Sequence, residues 1–173
     1  MQTVKLIPFQ SSFLESFIEW RGQSSSLRHN PLKPMSRAAI ARMLESEGSD
    51  LSDLKKYSNY RWFVECDGIV VGSVSVKNIS HMMNYAEIGY GIGEHHQRQG
   101  MATVAVQLLV EMAFYESSLR KLLAYVHEKN VASCRVLQKL GFTQEGLLRE
   151  HYIINGAAEN EFLFGLLKHE WKR

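Results

Sequence analysis

Polar and apolar residues alternate from Thr3 to Ile7, which predicts a β-strand stopped by Pro8. Phe13, Phe17 and Trp20 then recur at helical spacing, so a helix capped by Ser11 is expected through Trp20. Gly22 to Pro34, serine-rich and holding two prolines, reads as loop, and Ser36 to Leu44 resumes as helix. From Arg61 the period changes to two. Strands are expected over Arg61 to Cys66 and Ile69 to Val76, joined at Asp67-Gly68, and over Met83 to Ile92. A helix follows Gly100, with Met101, Ala105, Leu108, Met112 and Tyr115 as its apolar stripe. A strand over Lys121 to Val126 and a helix over Asn130 to Leu140, ended by Gly141, come next. A hairpin of Thr143 to Ile154 and Glu159 to Leu167 around Asn155-Gly156 closes the chain. This order, free of repeats and low-complexity tracts, predicts an α+β or α/β sheet covered by helices on both faces.

A chain of 173 residues, 45% of them hydrophobic, has material for one domain and one sizeable core. Twenty basic and 18 acidic residues leave a formal charge of +2, too balanced for a nucleic-acid partner bound by counterion release. Cys66 and Cys134 form no Cys-x-x-Cys pair, which fits a reducing cytoplasm. The first residues lack a secretory apolar core, and no apolar run approaches the ~18 residues of a membrane span. A cytoplasmic protein with no membrane partner is expected. The adjacent His95 and His96 do not share one face of a helix or strand, so no metal site is assigned.

Candidate chemistry concentrates in Tyr90-Gly91-Ile92-Gly93 and Gln97-Arg98-Gln99-Gly100-Met101-Ala102. A strand that ends in such a turn and opens a helix leaves several backbone N–H groups unpaired and convergent, the makings of a phosphate site. The Gly-x-Gly-x-x-Gly of dinucleotide folds and the Gly-Lys-Ser/Thr of P-loops are both absent. Gly89 and Gly91 in the incoming strand point to a bulge or a ligand pressed against the backbone.

The series Ala86-Glu87-Ile88-Gly89-Tyr90, Gln97 to Ala102, Asn130-x-x-Ser133 and Lys139-Leu140-Gly141-Phe142 resembles the Gcn5-related N-acetyltransferases, most of all their ribosomal-protein and spermidine acetyltransferase group. The resemblance runs in element order from Thr3 to Trp171. It implies a single N-acetyltransferase domain over residues 1–173, built on one mixed, largely antiparallel twisted sheet of the acyl-CoA N-acyltransferase fold. It also implies acetyl-CoA as co-substrate and direct transfer to a primary amine. A peptide N-terminus, an amino acid or another small amine would be the acceptor. A non-catalytic acyl-CoA-binding module is the alternative, and a homodimer is left open.

On the same resemblance, the backbone of Tyr90, Gly91 and Ile92 would bind the pantetheine arm. Gln97, Arg98, Gln99, Gly100, Met101 and Ala102 would wrap the pyrophosphate, and Asn130 would contact the CoA arm. Glu87 is the expected base, its proton affinity raised by the apolar neighbours Ala86 and Ile88. Many relatives carry a tyrosine acid where this chain has Leu137, which leaves Ser133 or solvent to protonate the leaving thiolate. Arg21, Arg28, Lys33, Arg37 and Arg42, with no acidic residue between Glu19 and Glu45, would form a basic acceptor rim unfriendly to polyamines. Glu145, Glu150, Glu159 and Glu161 of the late hairpin offer carboxylates for an ammonium.

Overall fold

The computed structural model describes residues 3–172; Met1, Gln2 and Arg173, at the ends of the expected 1–173 domain, lie outside the described residues. The seven strands are β1 (Val4–Ile7), β2 (Tyr60–Cys66), β3 (Ile69–Ser80), β4 (Tyr85–Ile92), β5 (Lys121–His127), β6 (Thr143–Ile154) and β7 (Ala157–Leu167). They form one sheet in the order β1-β2-β3-β4-β5-β7-β6. Every neighbouring pair is antiparallel except β4–β5, which is parallel. A parallel step needs a long crossover, and α4 (Met101–Tyr115) supplies it. The expected mixed, largely antiparallel sheet with helices on both faces is therefore present.

The period-2 pattern of β2 sorts the two layers. Tyr60, Trp62, Val64 and Cys66 face a core shared with α4 and with Leu137 of α5 (Val131–Lys139). Phe63 faces the other way, into a second core with Leu14 and Phe17 of α1 (Leu14–Gly22) and Ile40 and Leu44 of α3 (Arg37–Glu45). Both expected tight hairpins are made by residue pairs of positive φ, Asp67-Gly68 at 50° and 84° and Asn155-Gly156 at 51° and 81°. Those angles match the turn whose twist suits paired strands.

Four expectations need correction. Ser11 opens a 3₁₀ turn, Ser11–Phe13, that has no side-chain cap, and α1 starts at Leu14 behind it. The segment expected as loop between Gly22 and Pro34 contains a short helix, α2 (Ser24–His29). In α4 the buried face runs through Ala105, Val106, Leu109, Val110 and Ala113, while Tyr115 is exposed. Strands β3 and β7 are longer than expected, with β3 reaching Ser80 through a register shift between Lys77 and Ser80. Asn78 occupies that irregularity with φ 49°.

Candidate functional site

The parallel pairing of β4 with β5 is short. It joins Tyr85, Ala86 and Glu87 to Lys121, Leu122 and Leu123 and extends no further, so the two strands part beyond Glu87. Gly93 N donates to Val71 O of β3 at 2.9 Å, which sets the phase along β4. Glu87, Gly89 and Gly91 therefore turn their backbone groups to β3, while Ile88, Tyr90 and Ile92 turn theirs into the cleft. Gly91 was expected to present its backbone to a ligand, and this alternation assigns it to the sheet instead. Pairing also runs unbroken from Gly72–Ile92 to Lys77–Glu87, so Gly89 and Gly91 mark no bulge; beyond Glu87 they leave that face of β4 without side chains.

At the end of the cleft, Gly100 takes φ +81° and starts α4 from a left-handed conformation that glycine adopts without strain. A Cβ built there meets nothing within 4 Å, so the loop surrounds open space. Among the described residues, the amides of Arg98, Gln99, Gly100, Met101 and Ala102 have no hydrogen-bond partner. Gln97 works differently from its expected role. Its N–H bonds Glu94 O at 3.3 Å and its side chain bonds Ile92 O at 2.8 Å and Ser25 Oγ at 3.3 Å, so it braces the loop. Glu94 extends the brace by accepting from Ser24 Oγ at 2.9 Å and Ser25 N at 2.7 Å, and these bonds hold its carboxyl below the usual range. Free amides, a helix N-terminus and open space around Gly100 fit a diphosphate such as that of CoA.

Beyond the loop the parted strands open into a polar cavity of about 610 Å³, lined from both sides of the cleft. Glu87 lies in its wall with both carboxylate oxygens engaged, by Lys77 Nζ at 2.9 Å and Asn78 Nδ2 at 2.6 Å. The irregular backbone at Asn78 aims that amide. Ala86 and Ile88 do not furnish the apolar surroundings expected for Glu87, because both project from the opposite face into the α4 core.

Asn130 and Ser133 line the same cavity from the start of α5. Asn130 Oδ1 accepts from Ser133 N at 3.2 Å and so caps the helix. The Tyr90 hydroxyl donates to Ser133 O at 3.1 Å, and burial pushes the phenol pKa up to about 12. Leu137 is fully buried in the α4 core, so its position offers no proton to the cavity.

Of the four carboxylates in the late hairpin, Glu145 pairs with Lys121 at 2.7 Å, Glu159 pairs with Lys129 at 2.7 Å, and Glu150 is exposed. Glu161 alone of the four lines the cavity. The expected basic rim is absent from its wall: Arg37 pairs with Glu15 at 2.7 Å, Arg21 donates to Lys33 O at 3.1 Å, and none of the five basic residues lines the space. His29 does reach it, its Nδ1 3.2 Å from Nδ1 of His127, and burial together with that neighbour pushes the His29 pKa down. The sequence reading missed Lys77, Asn78, His29, His127 and Tyr152. An asparagine near the end of a strand was the one available signal, since Asn disfavours regular strand geometry.

The sequence profile described as "Acetyltransferase (GNAT) domain" matches residues 3–143. N-acetyltransferase p20 of Bacillus licheniformis, itself uncharacterized, is 31% identical over 140 residues, covering 81% of this chain and 79% of that one. Spermidine N(1)-acetyltransferase of Escherichia coli (strain K12) is 34% identical over 127 residues, 72% of this chain and 68% of that one. The structure of Mycobacterium smegmatis RimJ in complex with CoA-disulfide superposes with TM-score 0.86 at 22% identity, over 98% of this chain and 84% of that one, and so shares the fold. The chain belongs to the GNAT acetyltransferase family and is an acetyl-CoA-dependent N-acetyltransferase.

Proposed function

We propose that residues 3–172 act as one N-acetyltransferase domain that seats acetyl-CoA in the β4–β5 cleft and delivers its acetyl group to a small amine or peptide N-terminus entering the adjoining cavity. The observation that carries this reading is the order of groups along the chain from β4 to α4: Glu87 in the cavity wall, backbone groups of Ile88 and Tyr90 along the parted strand, and unpartnered amides at Gly100 after the strand ends.

Amides of Arg98 to Ala102 hold the pyrophosphate, and the Ile88 and Tyr90 backbone holds the arm and polarises the thioester carbonyl. Asn130 fixes the first turn of α5, where Ser133 stands to protonate the departing thiolate. Glu87, held by Lys77 and Asn78, supplies a fixed negative charge facing the ammonium. Since no lysine or arginine of the α1–α3 segment lines the cavity, and burial together with His127 pushes the pKa of His29 down, a polyamine meets no wall of fixed positive charge from that segment, and spermidine, named for the Escherichia coli relative, joins the acceptor panel. Among the described residues no helix is long and apolar enough to cross a membrane, and the free thiols Cys66 and Cys134 fit a cytoplasmic setting.

The test is release of free CoA thiol from acetyl-CoA with polyamines, amino acids, peptides and amino sugars. Amine-dependent thiol release supports the reading. Acetyl-CoA binding without turnover on any acceptor supports the binding-module alternative. Glu87→Gln should raise the amine KM by about tenfold, equivalent to ~1.4 kcal/mol of lost attraction, and leave acetyl-CoA affinity within about twofold. An unchanged amine KM removes Glu87 from acceptor recognition.

A further inference from the structure

Glu161 is the cavity carboxylate left without a close cation. Its side chain is only 10% exposed, and the nearest basic group, His151 Nε2, is 3.6 Å away on the solvent side. Among the described residues no lysine or arginine lies within ion-pair distance of it, whereas Glu87 on the facing wall is already satisfied by Lys77 and Asn78. A buried carboxylate exposed to a cavity and lacking a counter-ion is incomplete, because the desolvation of its charge is not offset. A ligand ammonium completes it.

We infer that Glu161 is the group that receives the acceptor's ammonium and takes its proton, with Glu87 as the fixed counter-charge across the same cavity. The inference rests on the acetyl-transfer reading above and deepens it by moving the proton-accepting role from Glu87 to Glu161. The register supports it: Glu161 on β7 lies opposite His127 on β5, and Glu87 on β4 lies opposite Leu123 on β5. Alternation along β5 then places both carboxylates on one face of the sheet, on either side of Tyr125.

The charged and titratable groups around Glu161 are His151, Tyr152, Glu87, Lys77 and Tyr125, with His127 directly across on β5 and His29 beside His127. Burial raises the proton affinity of Glu161, as does the charge of Glu87; His151, the Tyr152 hydroxyl and the more distant Lys77 lower it. Tyr125 and Tyr152 face it in turn, and both phenols are pushed up, first by burial and then by the neighbouring carboxylates. The net effect holds Glu161 above the ordinary glutamate value, which suits a proton acceptor near neutral pH.

In the balanced step the ammonium gives one proton to the Glu161 carboxylate, and the freed nitrogen lone pair forms the N–C bond at the thioester carbonyl. The C–S bond then breaks, its electron pair leaves on sulfur, and the second nitrogen proton ends on that sulfur as CoA thiol. Glu161 returns its proton to solvent past the half-exposed His151.

The experiment measures kcat/KM against pH for the wild type, Glu161→Gln and Tyr152→Phe, with acetyl-CoA thermal stabilisation as the folding and binding control. Wild-type activity should climb through the titration of Glu161 and level off. Glu161→Gln should lose about 100-fold in kcat and show no early plateau, its rate following hydroxide up to the amine's own pKa. Tyr152→Phe removes the neighbouring phenol hydroxyl that lowers the proton affinity of Glu161, so its rising limb should move to higher pH while its plateau is kept. Normal acetyl-CoA stabilisation in both variants keeps the result tied to the amine. A Glu161→Gln enzyme with the wild-type profile overturns this inference and leaves the transferase reading standing. Absence of thiol release by the wild type overturns both.

Discussion

Gly100→Glu should abolish acetyl-CoA binding in a protein that still folds. Gly100 starts α4 at φ +81° and ψ −6°, and its missing side chain borders open space onto which the free amides of Met101 and Ala102 face. A carboxylate grown from this point occupies the anion site itself and collects the same helix-terminal hydrogen bonds, so a diphosphate would have to displace a tethered competitor. Acetyl-CoA at 100 times its Kd adds about 2.7 kcal/mol to the wild type, a rise of roughly 5–11 °C in Tm at this chain length. For the glutamate variant the expected rise is about zero. Gly100→Ala separates the causes, because it carries the same left-handed backbone strain of ~1–2 kcal/mol without the charge. The alanine variant should melt lower than wild type yet keep most of its acetyl-CoA stabilisation. An undiminished rise in the glutamate variant would move the diphosphate away from this loop.

The loop at Gly100 was legible because its chemistry is local: strand, turn, glycine and helix follow one another along the chain, and the free amides come from that succession alone. Helix α2 was not legible, since six residues are too few to show a period, and its first turn is held by Glu94, some 70 residues later. The buried face of α4 was misplaced because its sequence is apolar almost all round, so several stripes satisfy the same spacing. For the site, Glu87 could be singled out, but its engagement by Lys77 and Asn78 depends on an irregularity in β3 that alternation conceals. Choosing Glu161 from four hairpin carboxylates was beyond reach for a similar reason. Register shifts between Gln144 and Gly146 and between Leu148 and Tyr152 of β6 decide which residues meet β7 and which face solvent. Local propensity thus located the loop of free amides at Gly100, whereas the lining of the cavity depends on pairings between distant segments.

Phe63→Ala should test that division between the two faces. Phe63 is fully buried, and the rings of Phe9, Phe13, Phe17 and Trp20 surround it at centroid distances of 5.7, 5.2, 5.9 and 6.3 Å. The small core beneath α1 and α3 is organised around this one side chain, with Arg61 stacked 5.1 Å from Phe17 and paired to Glu47 at 2.6 Å beside it. Its truncation leaves a cavity bounded by stiff rings that cannot collapse into it, so the expected loss is about 3–5 kcal/mol, or roughly 6–20 °C in Tm. Phe63→Leu, which refills much of the volume, should recover at least half of that. Because α1 leads into α2 and the wall at His29, loosening this core should raise the amine KM more than the acetyl-CoA KM. The cofactor loop is anchored through α4 in the opposite core as well as by its bonds to Ser24 and Ser25 of α2, so most of the Tm rise caused by acetyl-CoA should survive. If both KM values rose by the same factor, the two faces would be one cooperative unit, and the acceptor wall would owe its position to the whole sheet rather than to the layer held by Phe63.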